Sequence, residues 1–70
     1  MGRMATPDEF EEYKEGELCP YCYAEDVVED AVNQEGKVVR KSKYCTKCEM
    51  RWTEIWEDGV FTALYLDDGD

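Results

Sequence analysis

Two short cysteine pairs constrain this 70-residue chain more than any other feature. Cys19 and Cys22 form one C-x-x-C motif, Cys45 and Cys48 form a second, and 22 residues separate them. Each motif places two thiolates on one tight turn, and a hairpin between the turns would bring all four together. A tetrahedral zinc ion takes four such sulfur ligands at about 2.3 Å, and the separation is close to that of paired C-x-x-C zinc sites. We therefore predict one structural zinc ion bound by the four cysteines.

Three other uses of these cysteines remain open at this level. Disulfide bonds are typical of small secreted domains, but the N-terminus has no signal-peptide pattern, which favours a cytoplasmic, reducing location. The segment Cys19-Pro20-Tyr21-Cys22 has the letters of a glutaredoxin motif and would then be a thiol–disulfide redox site. That interpretation leaves the second C-x-x-C unexplained. Iron is the third alternative, because a four-thiolate tetrahedron also accepts it.

The composition argues against an enzyme. The chain has no histidine and a single serine, Ser42, and four thiolates would fill the coordination shell of zinc without leaving a position for water. We expect no small-molecule substrate. We also expect no membrane association, because no apolar run approaches the roughly 20 residues that cross a bilayer. A chain this short rarely builds a sufficient core, so metal binding would stabilise the fold.

Local patterns predict a short helix followed by strands. Thr6 is a suitable N-cap with Glu9 closing a capping box, which indicates a helix over 7–14 that docks through Phe10 and Tyr13. Four later segments have strand character, with a turn over 33–36 and a tight hairpin turn at Asp58-Gly59. The predicted strands are 24–32, 37–44, 50–56 and 60–66. The side chains expected to form the one hydrophobic cluster of the sheet are Trp52, Trp56, Phe61 and Tyr65.

This arrangement resembles the zinc ribbon family over residues 17–66. The resemblance is carried by the two C-x-x-C motifs and by Trp52, four residues after the last cysteine. That last pair with its tryptophan looks like the ribbon of transcription elongation factor S-II and of related RNA polymerase ribbons, and small phage-encoded ribbon proteins are similar. Tyr23 and Glu49 stand where ribbons usually carry glycine. The predicted tip, 33–36, lacks the Asp-Glu pair of the elongation factor, so transcript cleavage is not implied.

The expected fold class is a small metal-stabilised β fold. It is a zinc ribbon with a three- to four-stranded antiparallel sheet, two C-x-x-C knuckles and a short N-terminal helix. We divide the chain into an acidic N-terminal segment (1–16), the ribbon (17–66) and an acidic tail (67–70). Residues 1–5 are expected to be a flexible start to the first segment.

Charge is distributed unevenly along the chain. The net charge is −10, yet the stretch 37–51 carries +5. A hairpin would place the acidic residues before the tip opposite the basic residues after it, which predicts cross-strand ion pairs. An alternative is that the basic stretch, with Tyr44 and Trp52, binds nucleic acid. The residues of that alternative site are Lys37, Arg40, Lys41, Lys43, Lys47 and Arg51.

The acidic remainder favours a basic protein partner, because complementary charge speeds encounter and selects partners. Together with the resemblance, this predicts a protein-interaction module. Its role would be that of a transcription-associated regulator that docks on RNA polymerase or another basic nucleic-acid-binding protein. The partner-binding candidates are Glu11, Glu12, Glu29, Asp30 and Trp56.

Overall fold

The computed structural model describes residues 2–16 and 18–67, which form a five-stranded antiparallel sheet and one helix. The strand order is β1-β5-β4-β3-β2, so β2, β3 and β4 each pair with the next strand along the chain, and β1 pairs with β5. This confirms the predicted small antiparallel β fold, with five strands rather than three or four. The elements are β1 (Gly2–Met4), α1 (Pro7–Gly16), β2 (Val27–Glu35), β3 (Val38–Cys45), β4 (Arg51–Glu57) and β5 (Val60–Asp67).

The additional strand comes from the segment expected to be flexible. β1 pairs with the end of β5, with Gly2 opposite Asp67 and Met4 opposite Tyr65. The prediction of a flexible start was therefore wrong for residues 2–4, which gain backbone hydrogen bonds from a sheet edge that the sequence pattern did not reveal. Asp67, assigned to the acidic tail, belongs to β5. The remaining tail, 68–70, lies outside the described residues.

The first long hairpin differs from its prediction at the turn. β2 continues to Glu35, and the turn consists of Gly36 and Lys37 alone. Gly36 takes a φ of 60°, which suits a residue without a Cβ. The predicted turn over 33–36 was therefore too long. The predicted turn at Asp58-Gly59 is confirmed, and both of its residues have positive φ, as a tight hairpin connection requires.

A β-bulge changes which aromatic side chains lie together. Trp56 pairs with Phe61, whereas the preceding residue of β4 pairs with Ala63, which leaves Thr62 as an extra residue in β5. The bulge reverses the alternation, so Phe61 lies on the core face and Tyr65 on the opposite one. Tyr65 is 38% exposed. The prediction that Tyr65 joins the hydrophobic cluster was wrong for this reason.

The helix begins with the predicted capping box. The Thr6 hydroxyl accepts from the Glu9 backbone N–H at 3.2 Å, and the Glu9 carboxylate accepts from the Thr6 N–H at 2.9 Å. Arg3 of β1 donates two hydrogen bonds to the same carboxylate, at 2.8 and 2.9 Å. The Arg3 guanidinium, followed by the Thr6 N–H, lowers the pKa of Glu9 to about 2. These contacts hold the start of the helix against the added strand.

The core lies between the helix and one face of the sheet. The tilted rings of Phe10 and Phe61 have centroids 4.8 Å apart, and Tyr13 meets Trp52 edge-on at 6.1 Å. The predicted docking of the helix through Phe10 and Tyr13 is therefore confirmed. The buried apolar residues are Tyr13, Cys19, Cys45, Trp52, Leu64 and Leu66. Two of the four cysteines are thus part of this core.

Candidate metal centre

The two C-x-x-C motifs lie on loops of the same geometry. In knuckle 1 (residues 19–24), the Cys19 N–H donates to the Ala24 carbonyl at 3.0 Å, and the Tyr23 N–H donates to the Cys19 carbonyl at 2.9 Å. These bonds fold the loop back on itself, so that both cysteines face the same side. In knuckle 2 (residues 45–50), the Cys45 N–H donates to Met50 O at 3.0 Å and the Glu49 N–H donates to Cys45 O at 2.9 Å.

Both knuckles require a left-handed residue directly after the second cysteine. Tyr23 has a φ of 61° and Glu49 a φ of 60°. These are the positions where ribbons usually carry glycine, and a residue with a Cβ is strained there. The chain keeps the knuckle geometry without glycine, since the backbone hydrogen bonds and the packing of each knuckle over-determine it.

The knuckles bring the four sulfur atoms into one cluster. Cys19 Sγ lies 3.5 Å from Cys48 Sγ, and Cys22 Sγ lies 3.6 Å from Cys45 Sγ. All four Sγ atoms lie within 4.8 Å of one another. A regular tetrahedron with metal–sulfur bonds of 2.3 Å has sulfur atoms about 3.8 Å apart. The cluster therefore has the size of a four-thiolate metal site.

Backbone amides point at two of the sulfur atoms. Cys19 Sγ accepts from the N–H groups of Tyr21 at 3.4 Å and Cys22 at 3.5 Å, and Cys45 Sγ accepts from the Cys48 N–H at 3.5 Å. Such donors stabilise thiolate charge next to a bound cation. The shortest of these sulfur–sulfur distances is far beyond the roughly 2.05 Å of a disulfide, and the cysteines are free.

Without a metal the thiols differ in acidity. Burial raises the pKa of Cys19, and burial also raises the pKa of Cys48 to about 12. The Cys48 N–H that donates to Cys45 lowers the pKa of Cys45 to about 7. Because metal ligands must be deprotonated, a cation entering this cluster releases protons and binds more weakly as the pH falls.

The geometry fits a closed, structural metal site. Cys19 and Cys45 are fully buried, Cys48 is half-buried and Cys22 is exposed at the surface. Four thiolates from the two knuckles would complete a tetrahedron around a bound metal ion. The Asp26 carbonyl also accepts from the Thr46 N–H at 2.9 Å. This contact ties the segment between knuckle 1 and β2 to knuckle 2, so the two halves of the cluster are held together by backbone as well.

The six basic residues of the alternative nucleic-acid site are not on one surface. Lys37 lies in the β2–β3 turn and Lys47 in knuckle 2, at opposite ends of the eight-residue β3. The register places Lys41 and Lys43 on the sheet face that carries the helix, whereas Arg40 lies on the other face. Arg51 also lies on that second face, where it covers the Tyr44 ring at 5.4 Å.

Of the predicted cross-strand ion pairs, Glu29–Lys43 is present, and two pairs that were not predicted lie on the same hairpin side of the sheet; all three are loose. Three acidic residues of β2 approach basic residues of β3 and β4, and all three acidic side chains are at least 47% exposed. Exposed pairs of this kind contribute at most about 1 kcal/mol each. The pairs are Glu29–Lys43 at 3.4 Å, Asp30–Arg51 at 3.7 Å and Glu35–Arg40 at 3.9 Å.

The partner-binding candidates occupy three places. Glu11 and Glu12 are exposed on the helix, and the two acidic residues Glu29 and Asp30 lie on β2. Trp56 is half-buried: its ring stacks on Phe61 at 5.3 Å on one side and carries the Lys41 ammonium at 4.5 Å. The indole is therefore a packed side chain rather than an isolated exposed anchor.

Sequence reasoning missed a buried polar network beside the core. Glu54 is 8% exposed, and its carboxylate accepts hydrogen bonds from the Tyr13 hydroxyl and from Trp56 Nε1, the latter at 2.9 Å. Trp52 Nε1 donates to the Tyr13 hydroxyl at 3.0 Å. The strand alternation of Trp52, Glu54 and Trp56 was the signal, because it places the glutamate on the core face.

Comparison with known proteins gives one partial similarity. Over 37 residues, half of this chain, the sequence is 43% identical to the transcriptional repressor NrdR of Nitrosomonas europaea. The match spans 23% of that repressor, so this chain corresponds to less than a quarter of its length. No protein-family model matches the chain, and no solved structure matches it. The partial similarity and the cysteine cluster fit a zinc ribbon.

Among the described residues, no helix is long and apolar enough to cross a membrane.

Proposed function

We propose that this protein is a zinc ribbon of transcription control whose metal is structural and whose acidic surface docks on a basic protein of the transcription machinery, such as RNA polymerase. The observation that carries the metal half is the cluster of four Sγ atoms within 4.8 Å of one another. Partial similarity to a transcriptional repressor supports the regulatory half. The proposed activity is binding, without catalysis, because the four thiolates close the site.

Zinc is the metal that this donor set favours. Four thiolates at tetrahedral spacing suit zinc, and iron accepts the same set. The ion would link knuckle 1 to knuckle 2 and hold β2, β3 and β4 together at one end of the sheet. Since a 70-residue chain has a small core, we expect metal binding and folding to be coupled.

The charge distribution supports a basic partner. The helix exposes four carboxylates along its surface, and its only base is Lys14. A channel or groove that ordinarily holds nucleic acid presents lysine and arginine, to which such a surface is complementary. The exposed carboxylates of the helix are Asp8, Glu11, Glu12 and Glu15.

The test combines metal analysis with a defined partner. Native mass spectrometry, with and without a chelator, should give one zinc ion per chain. The zinc-loaded protein should then bind a purified bacterial core RNA polymerase in biolayer interferometry, with affinity that falls as salt rises. The variant Glu11→Lys with Glu12→Lys should weaken binding at least tenfold. Glu57→Lys with Asp58→Lys, the same charge change at the β4–β5 turn, is the matched control. Absence of binding at low salt contradicts the proposed docking.

A second candidate function is nucleic-acid binding. Among the described residues, Lys37 and Lys47 form no ion pair with a carboxylate, so their charges remain available, whereas Lys41 lies over the Trp56 ring. Fluorescence anisotropy with short single- and double-stranded oligonucleotides tests it. Binding that falls with salt and is lost in Arg40→Glu with Lys41→Glu would favour this function over protein docking. We rank it second, because a net charge of −10 opposes approach to phosphates.

A further inference from the structure

The outer edge of β2 is the longest open edge in the described part of the sheet. β2 has nine residues and pairs along its whole length with β3, its one strand neighbour among residues 2–16 and 18–67. The opposite edge is β1, which has three residues. In an antiparallel sheet, the backbone N–H and C=O groups of an edge strand that do not face its neighbour can pair with an added strand. From Val28 to Glu35 the side chains of β2 are exposed as well.

The chemistry of this edge is acidic. Between Lys14 and Lys37 the chain contains no lysine or arginine. The basic side chains that pair with the carboxylates of β2 come from β3 and β4, on the inner side of β2, with nitrogen–oxygen distances of 3.4 to 3.9 Å. A strand added to the outer side therefore meets carboxylates first. Five carboxylates lie along or just before this edge, namely those of Glu25, Asp26, Glu29, Asp30 and Glu35.

Two valines give the edge a contact on each sheet face. Val28 is 48% exposed and pairs with Tyr44 on the sheet face away from the helix. Val32 is 50% exposed and pairs with Lys41 on the face that carries the helix. The β-bulge between Glu29 and Ala31 places these two valines on opposite faces although they are four residues apart. An added strand would thus contact one half-exposed valine above and one below.

A second copy of this chain does not suit the edge. An edge-to-edge dimer through β2 would bring five carboxylates against five, and like charges across a strand pair are destabilising. The charge favours an extended segment that carries lysine or arginine at alternate positions. We propose that β2 is a docking edge for a basic extended segment of a protein partner, which adds to the sheet as a sixth strand. This inference rests on the proposed protein-docking function and names the mode of binding.

A synthetic peptide tests the edge directly. The probe is an eight-residue peptide, Lys-Val-Lys-Thr-Lys-Val-Lys-Thr, titrated into isotope-labelled, zinc-loaded protein and followed by amide shifts and hydrogen exchange. We expect alternate amides of β2, those directed away from β3, to become protected, while the amides of β4 and β5 keep their exchange rates. Protection or shifts concentrated on the helix instead of β2 would overturn the proposal.

Two matched controls separate strand pairing from charge attraction. A peptide of the same sequence with its four central amides N-methylated keeps every charge but loses the backbone N–H donors on both sides of its extended chain. It should therefore bind at least tenfold more weakly. The variant Glu29→Gln with Glu35→Gln should weaken binding of the first peptide about fivefold, whereas Glu11→Gln with Glu12→Gln should change it less than twofold. Equal binding of both peptides would show attraction without pairing and would refute the edge.

The oligomeric state and the polymerase assay complete the test. Sedimentation of the free protein should show a monomer, and a dimer with protected β2 amides would refute the choice of occupant. The peptide experiment uses no polymerase. Peptide addition at β2 without polymerase binding would therefore refute RNA polymerase as the partner and leave β2 as a docking edge. Polymerase binding that is unaffected by Glu29→Gln with Glu35→Gln would keep the function and refute the edge.

Discussion

Replacing Tyr13 with phenylalanine removes one hydroxyl group that lies between two buried side chains. That hydroxyl donates to the Glu54 carboxylate and accepts from Trp52 Nε1 at 3.0 Å. Glu54 is 8% exposed and Trp52 1% exposed, so water does not readily replace either contact. The Tyr13→Phe variant keeps the ring that packs against Trp52 and loses only the oxygen.

The expected loss follows from these two contacts. A hydrogen bond to a charged acceptor contributes about 1.5–3 kcal/mol, and a buried donor left without its acceptor costs about 1–3 kcal/mol. Because the contacts share one oxygen, they do not simply add, and we expect Tyr13→Phe to lower the free energy of unfolding by about 3 kcal/mol. That is a large fraction of the roughly 3.5–10 kcal/mol available to a domain of 70 residues.

Urea unfolding at a fixed free zinc concentration measures this loss. Tyr65→Phe is the matched control, because Tyr65 is 38% exposed on the opposite face, and it should cost less than about 0.5 kcal/mol. Glu54→Gln in the Tyr13→Phe background should cost less than it does in the wild type, since the two residues interact directly. A loss below about 1 kcal/mol for Tyr13→Phe, or additive effects in this double-mutant cycle, would refute the network.

Three further perturbations test other parts of the structure. Glu49 has a φ of 60°, where a residue with a Cβ is strained, so Glu49→Gly should raise the free energy of unfolding by about 0.5–1 kcal/mol in thermal melts. A destabilised variant would contradict this strain. The pKa of Glu9, about 2, lies below its ordinary value of 4.5. The contribution of the ionised Glu9 carboxylate to the free energy of unfolding is therefore complete above about pH 4.5 and is lost as the pH falls towards 2. Carboxyl NMR titration should show this midpoint, and Arg3→Met should raise it; an unmoved midpoint would exclude the ion pair as the cause. Gly2→Ala places a Cβ against the end of the Tyr65 ring, so hydrogen exchange should show weakened β1 pairing that Tyr65→Ala restores; unchanged exchange would show that the ring moves aside instead.

Local chemistry explains what was predictable from the sequence. The Thr6–Glu9 capping box, the Asp58-Gly59 turn and the docking face of the helix each depend on residues close in sequence, and all three are present. The cysteine cluster was predictable in the same way, because each C-x-x-C motif forms its own knuckle and a hairpin joins the two.

The remaining features depend on contacts between distant parts of the chain. β1 forms because the end of β5 offers an open edge more than 60 residues later, and the three residues of β1 carry no pattern that reveals this. The bulge at Thr62 reverses the alternation that placed Tyr65 in the core. Glu54 is buried because Tyr13 and Trp56 supply hydrogen bonds from other positions in the fold. A polar residue at a core position of a strand indicates burial only once its partners are known.

X-ray absorption spectroscopy at the zinc edge distinguishes a closed four-cysteine site from one with an open position. We predict that the protein loaded with one zinc ion shows four sulfur ligands at about 2.3 Å and no nitrogen or oxygen ligand. A spectrum with three or fewer sulfur ligands, or with a light-atom ligand, would contradict the closed four-cysteine site and the non-enzymatic role proposed from it.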